Sequence, residues 1–244
     1  MKLKMELHCH TNFDPVDWIE HSAKDLIDEA AGQGVEVLAI TCHKSLHRSK
    51  SLEEYASSVG VVLIPAVEAS IEGKDVLIYG LQTYSHPMSF AQLRALRAIH
   101  PEVLTIAPHP FYPSRSCLGK KLFHYQDCFD AIEFCHFYTQ QANFNKKAIE
   151  AAGKLKKPLV GTSDIHFLSQ MGKTTSSVSV QEKSVPAIIK AIKAGQVELD
   201  TKPLEWVELG QLLAKILKMD VKKQLSRLGV LTRKPAPAIS TVDE

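Results

Sequence analysis

The sequence lacks three features that would point to particular classes of protein: a long hydrophobic run, a paired-cysteine motif and a large net charge. No stretch is apolar enough to span a bilayer, and the first ten residues contain no apolar signal region, so we expect a soluble cytoplasmic protein. The five cysteines form no CxxC pair and their number is odd, which indicates a reducing compartment rather than a disulfide framework. The net charge of +2 does not indicate a strongly electrostatic nucleic-acid binder.

Two common catalytic motifs are also missing. There is no GxSxG nucleophile motif and no phosphate-binding P-loop, so neither serine hydrolase nor nucleotide triphosphatase chemistry is indicated. What the sequence does contain is histidine, 11 in 244 residues, several of them in short clusters. Hydrophobic residues make up 45% and charged residues 23%, as in ordinary globular proteins, and this length suits one α/β domain.

Strand-like and helix-like segments alternate along the chain, which predicts a parallel sheet covered by helices. The predicted strands are Lys4–Cys9, Val35–Thr41, Val61–Val67, Asp75–Leu81, Leu104–Ala107, Ala131–Phe134, Pro158–Thr162 and Ser176–Val180. The predicted helices are Ser22–Gln33, Ser51–Ser58, Ser89–Ile99, Asn143–Leu155, Val185–Lys193 and Leu204–Arg227. The number of strands favours a closed or nearly closed barrel, and a doubly wound sheet is the alternative.

We expect three segments along the chain. Residues 1–203 would form the barrel domain, and residues 204–233 a C-terminal helical extension. Residues 234–244 are rich in Pro, Ala and Ser, which predicts a disordered tail.

Potential metal ligands follow the ends of five predicted strands. They are His8 and His10, His43, Glu68, His109, and Asp164 with His166. Because active sites of α/β barrels lie at the C-terminal ends of the parallel strands, we expect these side chains to converge on one cleft. The His-x-His spacing directs both imidazoles to one side of an extended strand. Imidazole and carboxylate ligands favour Zn, Mn or Fe, and a glutamate can bridge two ions.

Each of these signals has a simpler explanation when it is taken alone. A His-x-His pair is often surface decoration, and the Ala-Pro-His-Pro segment can be a rigid turn. Asp164 and His166 can be a helix cap beside a packed histidine. Their joint occurrence at the ends of strands favours a metal centre.

Five strings in order, ELHCHT, AITCH, PAVEAS, APHPF and GTSDIHF, resemble the motifs of the PHP (polymerase and histidinol phosphatase) superfamily. The resemblance covers roughly residues 1–203, and the ordered set is specific although no single string is. It implies a distorted (β/α)7 barrel with a metal site at the C-terminal ends of the strands, two or three divalent ions and hydrolysis of phosphoesters.

The resemblance also implies how the ligands divide among the ions. One ion would be held by His8, His10, Glu68 and Asp164. A second would be shared by Glu68 and His109. A third would be held by His43 and His166, with Asp14 as a further ligand from the loop after the first strand.

The sequence departs from the motifs of the superfamily at two positions. Cys42 precedes His43 where the superfamily usually has aspartate, and we expect this cysteine to be a small buried residue rather than a soft ligand. Asp75 stands in the string KDVLIYG where a histidine is usual, and its carboxylate could still ligate a hard ion.

The expected reaction is hydrolysis of a phosphomonoester or phosphodiester by a metal-bound hydroxide, because bound metal lowers the pKa of water to about 7. The candidate catalytic residues are His109, Asp164 and His166, which could supply a proton to the leaving group. Lys44 and Arg115 follow two of the strand ends and are candidate ligands for the substrate phosphate. The sequence leaves open a nucleotide, a short oligonucleotide or a histidinol-phosphate-like ester.

Three alternatives remain at this stage. The first is an amidohydrolase-like C–N hydrolase on a similar barrel, and the second is a degenerate metal-binding module with a regulatory or binding role. The third is nucleic-acid binding through a basic stripe on the last helix, formed by Lys215, Lys218, Lys222, Lys223 and Arg227. No membrane partner is expected, and the sequence does not indicate an oligomeric state.

Overall fold

The computed structural model describes residues 1–86 and 88–232. The strands are β1 Lys2–Glu6, β2 Val37–Ile40, β3 Val62–Ile71, β4 Lys74–Tyr79, β5 Leu104–Ala107, β6 Ala131–Cys135, β7 Leu159–Thr162, β8 Thr174–Ser179 and β9 Val197–Thr201. The helices are α1 Ala23–Gly32, α2 Lys50–Ser58, α3 Phe90–Ile99, α4 Lys121–His124, α5 Asn145–Leu155, α6 Val185–Lys193 and α7 Trp206–Arg227. All predicted elements are present, and β9 and α4 are additional.

The strands form one mixed sheet in the order β7-β6-β5-β4-β3-β2-β1-β8-β9. The strands β4 and β8 run antiparallel to both of their neighbours, so the prediction of a parallel sheet is wrong at these two strands. The reason at β4 is local. Only Glu72 and Gly73 connect β3 to β4, and both have positive φ, as in the tight turn of a β-hairpin, which leaves no room for a crossover helix.

The sheet curls into a nearly closed barrel, and side-chain hydroxyls bridge the seam between β7 and β8. Ser176 Oγ accepts a hydrogen bond of 2.7 Å from the backbone N of Gly161, and Ser163 Oγ donates one of 2.8 Å to the carbonyl of Thr174. A Cβ atom at Gly161 would lie 2.2 Å from the Leu199 side chain and 2.9 Å from the Thr175 carbonyl, so only glycine allows this approach. The predicted barrel is therefore confirmed.

One end of the barrel is closed by apolar packing. Alternate strand residues such as Leu3, Val37 and Leu104 point into a buried interior cluster, which Ile188 and Ile192 of α6 also join. Further clusters pack α3 and α5, or α1 and α2, against the outside of the sheet. The opposite end of the barrel, where the parallel strands end, is left for polar side chains.

Helix α7 lies across that polar end and is attached to the barrel by its basic side chains. Lys215 Nζ donates to Ser169 Oγ, Lys222 pairs with Glu20, and Lys223 donates to Asp17 at 2.6 Å. Much of the basic stripe predicted for nucleic acid therefore contacts the protein itself. The predicted division at residues 203 and 204 stays a prediction, and the predicted tail, residues 234–244, lies outside the described residues.

No helix in the described ranges combines the length and the apolar character needed to cross a bilayer.

Candidate metal centre

The side chains predicted as metal ligands meet at the polar end of the barrel. Those that could share an ion in groups of three are His8, His10, Asp14, His43, Glu68, Asp75, His109, Asp164 and His166. Within each group the ligating atoms all lie within 4.8 Å of one another. The sequence places them far apart, and the barrel brings them together because the strands that precede most of them end at the same rim.

Glu68 lies at the centre of this cluster. Its side chain is 2% exposed, and its Oε2 lies 3.2 Å from His8 Nε2 and 3.1 Å from His43 Nε2. Its Oε1 lies 3.4 Å from His109 Nε2. Each carboxylate oxygen therefore faces a different set of imidazoles, which is the arrangement needed to bridge two ions.

The imidazoles of His8 and His10 each face two carboxylate oxygens at separations expected of metal ligands. The Nε2 atoms of His8 and His10 lie 3.2–3.4 Å from Glu68 Oε2 and 3.3–3.4 Å from Asp164 Oδ1. Ligands at the usual zinc distances would be roughly 3.3–3.6 Å apart in a tetrahedron. His10 Nε2 and Asp164 Oδ1 are buried and have no hydrogen-bond partner among the described residues, and an ion would satisfy both.

The charges of the cluster also fit cations. Burial would raise the pKa of Glu68, but the neighbouring His43 and His8 hold it well below its usual range. Burial would lower the pKa of His43, whereas Glu68 and Asp14 raise it to about 10. The carboxylates thus stay ionised and draw positive charge into a buried site, where divalent ions could replace the imidazole protons.

A buried carboxylate that the sequence analysis missed orients two of the histidines. Glu133 Oε1 lies 2.8 Å from His8 Nδ1 and accepts from Thr162 Oγ1, while Oε2 accepts from the backbone N of His109. With Nδ1 of His8 donating to Glu133, its Nε2 keeps a lone pair that faces the cluster. Such partners fix the tautomer and the orientation of metal-binding histidines.

Asp14 has a similar position behind two other imidazoles. Its Oδ2 lies 2.8 Å from His10 Nδ1 and 2.9 Å from His43 Nδ1. Its Oδ1 accepts hydrogen bonds of 2.8 Å from the backbone N atoms of Val16 and Asp17. Both oxygens already have protein partners, so the geometry is that of an orienting carboxylate more than that of a ligand.

A second group of ligands includes Asp75, which lies near the start of β4 rather than after a strand end. Because β4 is antiparallel, its beginning reaches the rim where the parallel strands end. Asp75 thereby joins Glu68 and His109 in one group. On the far side of the same imidazole, His109 Nδ1 lies 3.3 Å from Cys117 Sγ.

The backbone is strained at two candidate ligands. His109 and Asp164 have φ values of 28° and 44°, in the left-handed region that non-glycine residues seldom adopt. Such residues cost about 1–3 kcal/mol each and persist where the surrounding structure holds them, often at functional sites.

The remaining predicted residues lie away from the cluster. Cys42 is fully buried in the apolar cluster next to α1 and α2, which confirms the prediction of a small buried residue, and burial raises the pKa of its thiol to about 12. Lys44 and Arg115 have exposed side chains, and neither lines the cavity above the metal ligands. The structure therefore does not bring these two cations together with the candidate metal centre.

A cleft of about 320 Å³ opens above the ligands. Its base is formed by His43, Glu68, Asp75, His109, Asp164 and His166. Ile216 and Met219 of α7 line it together with Phe167. Buried His136 also lines the cleft, and burial lowers its pKa to about 4, so this imidazole is neutral at physiological pH.

The buried Glu6 beneath the centre predicts a pH-dependent stability. Burial raises its pKa from 4.5 to about 8, although backbone hydrogen bonds from Ser163 and His8 act in the other direction. The folded state then binds this proton more tightly, so its contribution to stability is complete below pH 4.5 and is lost as pH rises through 8. As pH rises from 5 to 9, we expect the unfolding free energy of the unsubstituted protein to fall by a few kcal/mol relative to that of Glu6→Gln.

Urea unfolding in EDTA across this pH range measures the difference. The exposed Glu54 of α2 provides the matched control, because Glu54→Gln should follow the unsubstituted protein at every pH. If the unfolding free energies of Glu6→Gln and of the control change with pH in the same way, the pKa of Glu6 is not raised.

Comparison with known families identifies the fold. A family model described as PHP-associated matches residues 142–197, the segment that contains Asp164 and His166. The five ordered strings described above also surround the metal ligands at the rim of the barrel. The chain has the PHP fold and contains a PHP-associated segment. PHP structures have the distorted (β/α)7 barrel that the sequence resemblance implied.

This chain is similar in sequence to an enzyme named for its action on RNA. It is 37% identical over 103 residues to a 5'-3' exoribonuclease of Haemophilus influenzae, an alignment that covers 41% of this chain and 36% of that protein. The chain therefore spans only about a third of the length of this relative.

Two solved structures have the same fold. A two-domain protein of Bacteroides vulgatus, described as containing a predicted PHP-like metal-dependent phosphoesterase, has a TM-score of 0.66 at 19% identity, over 82% of this chain and 65% of that one. A lesion-specific endonuclease of Pyrococcus furiosus has a TM-score of 0.53 at 16% identity, over 82% of this chain and 58% of that one.

Proposed function

We propose that this chain is a PHP-type enzyme that hydrolyses a phosphomonoester or phosphodiester with two or three divalent ions of Zn, Mn or Fe. The observation that carries the proposal is the position of Glu68, whose two oxygens face four imidazoles at 3.1–3.4 Å. A purely structural role would leave this many titratable groups buried together at a large cost, since buried charges need close partners.

The chain's own residues would divide the ions as follows. His8, His10, Glu68 and Asp164 would hold the first ion. Glu68, His109 and Asp75 would hold the second. His43 and His166 would hold the third, with Asp14 orienting His43 rather than binding the ion. When bound, the ions would activate a water at neutral pH and neutralise charge on the phosphoryl oxygens.

The other side chains of the cleft would position the ester and move protons. His166 Nε2 lies 3.3 Å from Asp17 Oδ2, and Asp17 is held in turn by Lys223 of α7. His136 is neutral and hydrogen-bonded to Gln170, so it can exchange a hydrogen bond with a leaving oxygen without carrying charge. Phe167, Ile216 and Met219 would exclude water from one side of the ester.

The relatives favour a nucleotide or oligonucleotide ester over a histidinol-phosphate-like one. The names of the exoribonuclease and of the lesion-specific endonuclease both denote action on nucleic acid.

The experiment that tests the proposal combines elemental analysis with assays on a phosphodiester and a phosphomonoester in added Mn, Zn or Fe(II). We expect two or three ions per chain, and we expect His8→Ala with His10→Ala to lose ions and at least roughly a thousandfold in turnover. The matched control is His86→Ala with His100→Ala, two exposed histidines away from the cleft. Less than one ion per chain and no hydrolysis with any metal would favour the alternative, a degenerate module with a binding role.

A further inference from the structure

A second cavity adjoins the metal cleft on the outside of the barrel. It has a volume of about 450 Å³ and lies between the segment of residues 111–123 and helix α5. We call it the side groove and define it by Phe111, Tyr112, Lys120, Phe123, Lys147 and Lys154. Phe111 is the last residue of the string APHPF, and the other five residues lie outside the sequence motifs.

The cations of the side groove are available for a ligand. Lys147 and Lys154 lie seven residues apart on one exposed face of α5, and Lys120 faces them from the opposite wall. None of these three lysines forms an ion pair with an acidic side chain in the part of the chain that the structure describes. Glu150 is the acidic residue that lines the groove, so the groove has a positive balance.

The side groove also contains aromatic rings. The rings of Phe111 and Phe123 lie 6.4 Å apart, and Phe123 is 39% exposed. Tyr112 is fixed by a hydrogen bond of 2.9 Å from its hydroxyl to the carbonyl of Phe137. Rigid aromatic faces beside lysines are the combination that binds unpaired bases and their phosphates.

The side groove and the metal cleft share a wall. Tyr112, Ser114 and Cys117 line both cavities, and Cys117 Sγ contacts His109, a candidate ligand. A chain lying in the groove would therefore pass next to the metal centre. The seven-residue spacing of the α5 lysines corresponds to about 10 Å, which matches roughly three nucleotides of a stacked strand.

We propose that the side groove binds a single-stranded nucleic acid and leads one of its phosphodiesters to the metal centre. The inference rests on the proposed phosphoesterase function and adds the substrate class and the direction of approach. Lysines contact the phosphates and the phenylalanines stack on bases. A double helix keeps its bases paired and would leave these rings without a partner.

Binding is tested separately from hydrolysis by fluorescence anisotropy in EDTA. The probe is a fluorescein-labelled deoxythymidine 12-mer, and the variant is Lys147→Gln with Lys154→Gln. If each lysine neutralises one phosphate, the dissociation constant should rise roughly 20-fold at 0.1 M salt, and the slope of log K against log salt should shrink by about 1.4. Phe123→Ala, a change at an exposed side chain, should weaken binding on the order of tenfold.

The matched control removes two exposed basic residues from α7, Lys218→Gln with Arg227→Gln, and should leave the dissociation constant within twofold. If this control loses as much affinity as the groove variant, the basic stripe of α7 is the binding site and the proposal is wrong. Equal competition by a 12-base-pair duplex or by polyglutamate would overturn it as well.

The two proposals fail in different ways. If the protein hydrolyses a small chromogenic diester but binds the 12-mer more weakly than about 10⁻⁴ M, the groove proposal fails and the phosphoesterase stands. If the groove variant weakens binding as expected but no metal supports hydrolysis, the groove stands as a binding site and the phosphoesterase fails.

Discussion

Replacing Glu68 with glutamine is expected to lower hydrolysis by at least roughly a thousandfold and to reduce the metal content of the protein. The substitution preserves the size of the side chain but removes the charge shared by His8, His43 and His109, and an amide nitrogen cannot ligate a cation. Elemental analysis and kcat/KM on the preferred ester measure the two effects.

Glu54→Gln provides the control for this prediction, because it makes the same change of charge on the exposed face of α2. It should retain the full metal content and turnover. A Glu68→Gln protein with normal metal content and activity would show that Glu68 bridges no ions, and would remove the observation on which the proposed function rests.

Substitution of Glu133 is expected to weaken metal binding by about 10–100-fold without removing any ligand. In Glu133→Gln, an amide NH2 that faces His8 Nδ1 would force that nitrogen to accept, and the proton would move to Nε2, the atom that faces Glu68 and Asp164. Competition with a metal-sensitive dye measures the affinity, and added metal should restore turnover.

Thr162→Val separates this tautomer effect from a loss of packing. It removes one hydrogen bond to Glu133 Oε1 but leaves the carboxylate to accept from His8. We expect a much smaller change in metal affinity than in Glu133→Gln. Equal affinities in the unsubstituted protein and in Glu133→Gln would exclude an orienting role for this carboxylate.

The sequence was sufficient to locate most of the centre because its ligands obey a positional rule. Residues such as His43, His109 and Asp164 follow apolar runs, and parallel strands bring such positions to one rim whatever their separation in sequence. The start of α1 follows a local rule instead, because its capping box joins Ser22 and Asp25, which are three residues apart.

The sequence could not reveal contacts that depend on register and direction. Glu133 lies in the middle of the apolar string AIEFC, where a lone glutamate is typical of a solvent-facing strand residue, and only the closed barrel buries it beneath His8. The antiparallel direction of β4 depends on a two-residue turn, and it decides that Asp75 reaches the rim. The strand β9, with its mainly exposed VELDT, has no apolar pattern to recognise.

The pairing of β1 with β8 has a consequence for how the protein folds. Lys2 pairs with Ser179 and Met5 with Ser176, and nearby Glu6 accepts from the backbone of Ser163, 157 residues away. Contacts this distant in sequence form slowly, because a long loop must close before they stabilise anything. His8 and His10 therefore meet Asp164 late in folding. A metal ion bound by these three residues would stabilise the folded barrel, chiefly by slowing its unfolding.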